Sequence, residues 1–238
     1  MENKNNAIII GDDILSETPA SEDLPALTEM VYFPTMIYNM MKADFLETVS
    51  VVADEYISKA QQIREINEIY PVCMSDNFVG DERIKDFVKF ISQVSWDILQ
   101  RQGYAMNRYN TITHELWCQD HYKYSGMEQH IHGGGCQLSG FYFLKCRDDG
   151  PRVLIHDPRP AKLYADLPED NSINVTAASQ LINFLPKPGQ LLFTNSWVPH
   201  SFSKNPLDES FRFIHFNVSL MFNPEYIEQC SISEPTVI

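Results

Sequence analysis

Residues 128–146 read EQHIHGGGCQLSGFYFLKC. His130 and His132 flank one isoleucine, three glycines follow, and a run of strand-forming residues comes next. In an extended chain, side chains at i and i+2 point to the same face. The spacing therefore predicts two imidazoles aimed at one point, as a shared metal ion requires. Glycine then lets the chain turn sharply and approach closely. The pair alone also fits chance, because the chain carries seven histidines. His114, His121 and His215 read as packed or surface residues.

Downstream and upstream the texture differs. From about residue 105, short β-rich runs alternate with turn signals: NTITHELWCQDHYKY, LSGFYFLKC, RVLIHD, QLLFTN and FRFIHFNVSL. This is the pattern of an antiparallel sandwich or barrel. Before it lie two helical patterns. Asp44 is placed to cap a helix with Phe45, Val49, Val52, Tyr56, Ile57 and Ala60 on one face. In DERIKDFVKFISQVSWDILQRQG an apolar stripe runs from Ile84 to Leu99, and Gly103 ends it. MVYFPTMIYNM reads as a first strand interrupted at Pro34. Residues 1–28 form an acidic arm expected to be flexible. Residues 29–238 then make one domain, with helical support over about 40–103 and a β core over about 105–222.

Composition narrows the class. The chain has 238 residues, 44% of them apolar, and a net charge of −14. The acidic balance argues against nucleic-acid binding. The longest apolar stretches are too short to span a bilayer, and the N-terminus MENKNN lacks a signal-peptide pattern. Five scattered cysteines without a C-x-x-C predict free thiols in a reducing, cytoplasmic setting.

The C-terminal half adds LPKPGQLLFTNSWVPHSFSKNPLDESFRFIHFNVSL, which sets a strand, then His200, then Arg212 on a last strand. Together with YSG, HIHGGGCQLSGFYFLK and VLIHDPR, this order resembles the iron- and 2-oxoglutarate-dependent oxygenases. The closest likeness is to prolyl-hydroxylase-like members of a type common in phages and marine bacteria. The resemblance implies a mainly β fold with flanking α: a double-stranded β-helix (jelly-roll, cupin-like) core packed against N-terminal helices. It implies Fe(II) and 2-oxoglutarate as cofactors and dioxygen as co-reactant. The reaction implied is decarboxylation of 2-oxoglutarate to succinate coupled to hydroxylation of a substrate, by analogy a prolyl residue of a peptide or protein.

Residue by residue, the resemblance makes His130 the first metal ligand and His200 the distant one. The family's usual carboxylate slot is occupied by His132. Either His132 is a ligand in a three-histidine site, or an acid from elsewhere coordinates, Asp157 being the best placed; the local geometry of the pair favours His132. Arg212 is the expected partner of the far carboxylate of 2-oxoglutarate, since a buried carboxylate needs a fixed cation. Tyr124 and Ser139 match positions that hydrogen-bond the co-substrate. The segment AKLYADLPEDNSINVTAASQLINFLP reads as a lid or substrate loop. Two rivals remain: a cupin-like three-histidine metalloenzyme that does not use 2-oxoglutarate, and a non-enzymatic phage structural or interaction protein.

Overall fold

The computed structural model describes residues 31, 33–164, 167–169 and 174–227. The chain divides into two units, 1–34 and 35–238, and the second contains all that follows. The acidic arm lies outside the described residues.

Among the described residues, ten strands and two long helices build the second unit. They are β1 (Ile37–Met41), α1 (Leu46–Ile63), β2 (Val72–Met74), α2 (Lys85–Arg101), β3 (Tyr109–His121), β4 (Met127–His130), β5 (Cys136–Lys145), β6 (Val153–His156), β7 (Leu181–Phe184), β8 (Gln190–Asn195), β9 (His200–Phe202) and β10 (Phe211–Phe222). The larger sheet has the order β1-β8-β5-β10-β3-β2 and the smaller β4-β9-β6-β7. All their pairings are antiparallel. β7 falls inside the stretch expected to be a loop; Leu181–Phe184 pairs along β6 instead.

The helices form where their patterns predict. In α1, Val49, Val52, Ala53, Ile57 and Ala60 are buried, at the three- and four-residue spacings of one helix face. Asp44 does not cap that helix; it sits in a short 3-10 turn over Ala43–Phe45 and pairs with Lys42. α2 buries Phe87, Ile91, Ser95, Ile98 and Leu99, and Gly103 follows its end at φ 93°.

Two apolar cores result. One lies between the helices and the outer face of the larger sheet, and includes Leu116, Cys118, Leu138, Tyr142, Phe193, Ile214, Phe216 and Val218. The other fills the space between the sheets with Phe141, Phe143, Val153, Ile155, Leu192, Val198, Phe202, Phe211 and Phe213. The central strands β5, β8 and β10 are therefore largely buried on both faces, which explains their long apolar runs. Gly140 marks the tightest point of this packing. A Cβ there would meet the Leu192 carbonyl oxygen and the Phe216 ring at 2.4 Å.

No helix among the described residues is long and apolar enough to cross a membrane. Cys73, Cys118, Cys136 and Cys146 are free thiols, and Cys230 lies outside the described residues.

Candidate metal centre

β4 and β9 pair so that His130 stands directly opposite His200. The strand ladder of β4 stops at His130. His132 is placed by a different contact: its backbone N–H donates to the Ser196 carbonyl at 2.8 Å. The glycines then take left-handed backbone conformations, with φ 64° at Gly134 and 83° at Gly135, and lead the chain into β5. The same-face expectation for the pair is thus met by a loop pinned to the β8–β9 connection rather than by a continuous strand.

One potential ligand nitrogen from each of His130, His132 and His200 lies within 4.8 Å of the others. His130 Nδ1–H donates to the Glu128 carbonyl at 2.8 Å, and His200 Nδ1–H donates to the Val198 carbonyl at 3.0 Å. Donation from Nδ1 fixes the tautomer and leaves Nε2 with a free lone pair, the arrangement typical of metal-binding imidazoles. His132 Nε2 stands 3.3 Å from His200 Nε2. Burial holds His132 neutral down to about 4, with His130 adding repulsion. His200 is lowered to about 3, again by burial first and His130 second. Neutral imidazole is the form that coordinates, so this donor set fits a divalent metal such as Fe(II).

Asp157 takes no part in the cluster. Its carboxylate pairs with Arg159 at 2.7 Å and Lys162 at 3.2 Å, and these partners hold it well below the usual carboxylate range. Its role is to close its own turn, through a bond from the Arg159 backbone N–H.

Arg212 is not brought to the histidines. On β10, Ile214, Phe216 and Val218 face the helices, while Phe211 and Phe213 face the space between the sheets. Arg212 shares the helix-side face. Its guanidinium donates to both Asp120 oxygens, at 2.9 Å from Nε and 2.5 Å from Nη2, and also pairs with Asp54 of α1. Arg212 and Asp120 side chains are 8% and 2% exposed. The expected cation of the inner face is thus a closed ion pair on the outer one. Below the histidines the inner wall is aromatic: Phe141, Phe143, Phe202, Phe211 and Phe213 touch ring to ring, with centroids 4.8–6.3 Å apart.

Tyr124 is 67% exposed, takes φ 70°, and lies beside Lys123. Ser139 faces inward, fully buried, with its hydroxyl 3.2 Å from that of Thr194. His121 is a satisfied core histidine, bonded to Ser125 and Gln119.

His215 is the residue that sequence reasoning missed. It is 1% exposed, stacks on Trp117 at 4.3 Å, and places Nε2 3.3 Å from His132 Nε2. The sequence signal was conditional on knowing which face of FRFIHFN turns inward. If Phe211 and Phe213 face inward, so must His215 and Asn217.

Comparison with known proteins supports the same barrel. Residues 115–217 match the family model described as "Putative 2OG-Fe(II) oxygenase". No curated protein matches the chain. Among solved structures, a Pseudomonas putida prolyl-4-hydroxylase is similar with a TM-score of 0.55 at 12% identity, covering 78% of this chain and 92% of that one. The non-heme alpha-ketoglutarate-dependent carbocyclase SnoK from nogalamycin biosynthesis gives 0.57 at 10% identity, covering 86% and 89%. A Trichoplax adhaerens prolyl hydroxylase, solved with a hypoxia inducible factor oxygen degradation domain peptide, gives 0.50 at 14%, covering 83% and 87%. At these identities the structures share the fold, a double-stranded β-helix. Over residues 115–217 the chain is thus similar to the 2OG-Fe(II) oxygenases, with which it shares the fold, and within that barrel it brings three imidazoles together.

Proposed function

We propose that His130, His132 and His200 hold the catalytic metal and that the enzyme hydroxylates a residue of a peptide or protein, with proline as the first candidate. The observation that carries the metal assignment is the convergence of three ligand nitrogens, two of them with their Nδ1–H donated to backbone carbonyls. When bound, iron supplies the redox chemistry that couples decarboxylation of 2-oxoglutarate to oxygen transfer. The chain supplies neutral ligands, fixed ring orientations and a dry wall. His200 is fully buried against Phe141, at 5.3 Å between rings, so bulk water does not reach it from below.

Arg212 is left out of the co-substrate site, since Asp120 and Asp54 already occupy its donors. Ser139 remains in the proposal. It lies one pleat along β5 from Phe141, beside Thr194 and opposite Asn217 on β10, so the inner face offers neutral hydrogen-bonding groups there. The peptide assignment draws on the Trichoplax adhaerens protein solved with a peptide, and is an analogy of fold.

The test has two parts. Calorimetry with manganese(II), anaerobically, should show one metal per chain in wild type and none in His200→Ala. Succinate release from 2-oxoglutarate, followed by a mass-spectrometric peptide screen for a gain of one oxygen, then identifies the substrate. Equal metal binding by both proteins would refute the ligand assignment.

A further inference from the structure

We infer that His215 binds the co-substrate: its Nε2–H donates a hydrogen bond to an oxygen at the chelating end of a 2-oxo acid held beside His132. This rests on the reading of His130, His132 and His200 as the metal site of a 2-oxo-acid-dependent enzyme. It adds to that site a buried hydrogen-bond donor that is not a ligand.

The tautomers come first. His200 donates Nδ1–H to the Val198 carbonyl, so its Nε2 carries a bare lone pair. His132 Nε2 stands 3.3 Å from that atom and 3.3 Å from His215 Nε2. His215 is 1% exposed, and its Nδ1 has no hydrogen-bond partner. A proton on Nδ1 would be an orphaned buried donor, the kind of defect that folded proteins rarely keep. His215 therefore carries its proton on Nε2 and points it at His132.

Coordination frees that donor. The Nε2 lone pair of His132 cannot both bind a metal and accept from His215. Once a metal takes it, the His215 N–H needs another acceptor, because a buried donor without one costs stability. Three imidazoles on a six-coordinate ion leave three positions, two for a chelating 2-oxo acid and one for dioxygen. The acid brings anionic oxygens next to His132, into the neighbourhood that His215 Nε2 already faces, and an anionic oxygen is a strong acceptor. The ring is also held for this bond. Trp117 stacks on one side at 4.3 Å and Phe141 meets it edge-on at 4.9 Å, so little rotational freedom is lost on binding.

The experiment uses the full chain loaded with cobalt(II), without dioxygen. It titrates 2-oxoglutarate and also pyruvate, which shares the chelating end but lacks the far carboxylate. His215→Phe keeps an aromatic ring between Trp117 and Phe141. It should bind cobalt as wild type does and both acids about 10- to 100-fold more weakly, the loss expected for one hydrogen bond to a charged acceptor. His215→Gln, which keeps an N–H donor, should recover part of that loss. If neither variant folds, zinc-loaded wild type labelled with nitrogen-15 at histidine decides. Beside three imidazoles bound at the metal, one further Nε2–H resonance should respond to the acid. Unchanged acid affinity in a folded His215→Phe, a loss confined to 2-oxoglutarate, weakened cobalt binding, or no responding N–H in the zinc-loaded protein overturns the inference. Unaltered cobalt binding by His200→Ala instead refutes the metal centre itself. Cobalt-loaded wild type that takes up neither acid refutes the use of a 2-oxo acid, and this inference with it.

Discussion

The two faces of β10 differ in nearly every respect although they alternate along one strand. The helix-side face carries Arg212, Ile214, Phe216 and Val218, and its charge is cancelled by Asp120 and Asp54. The inner face carries Phe211, Phe213, His215 and Asn217, and its histidine lies against the candidate metal centre. A strand exchanges its faces with every residue, so a one-residue offset decides whether a side chain does chemistry or holds the sheet to a helix. Here the arginine faces the helices and the histidine faces the candidate metal centre.

That contrast can be broken most strongly at Arg212. Arg212→Ala leaves Asp120 buried without its cation and should cost about 3–5 kcal/mol of unfolding free energy, read from urea denaturation. Manganese and 2-oxoglutarate affinity should not change in the folded fraction. Arg212→Met combined with Asp120→Leu should recover most of the loss, because a buried ion pair is often replaceable by apolar packing. Weakened 2-oxoglutarate binding without loss of stability would return Arg212 to the co-substrate role expected from sequence.

Gly140→Ala probes the place where both faces are packed hardest. The new methyl meets backbone at Leu192 and a ring at Phe216, and should cost about 1–3 kcal/mol, the range for overpacking. An unchanged urea midpoint would mean that β5 can move away from β8.

The inner face should also be the pH-sensitive one. His121 and His132 stay neutral in the folded state down to about 4, against 6.5 as the ordinary value. Below 6.5 the unfolded chain takes up protons that the native chain refuses, so stability of the metal-free protein is present above that pH. It should fall as pH drops from about 6.5 toward about 4. A flat urea midpoint across that window would contradict the burial of these rings.

The smallest effect is expected at Tyr124. Its exposure limits Tyr124→Phe to less than about 0.5 kcal/mol in stability. A measurable drop in 2-oxoglutarate affinity would show that Tyr124 reaches the co-substrate when it binds.

Sequence alone reached far into this fold, because its evidence is local. Helix faces in α1 and α2 and the β texture after residue 105 follow from periods of 3.6 and 2 that adjacent residues impose, while the His130–His132 pair was legible as a motif although a loop held at Ser196 places its second ring. His200 followed from motif order. Local signals could not say which face of β10 turns inward, because FRFIHFNVSL is apolar on both and a doubly buried strand shows no alternation. They could not reveal that Asp54 and Asp120, 158 and 92 residues away from Arg212, converge on it. Nor could they place His215 beside His132, 83 residues earlier. Those three outcomes were decided by strand pairing across the chain, where long-range register fixes which side chains meet.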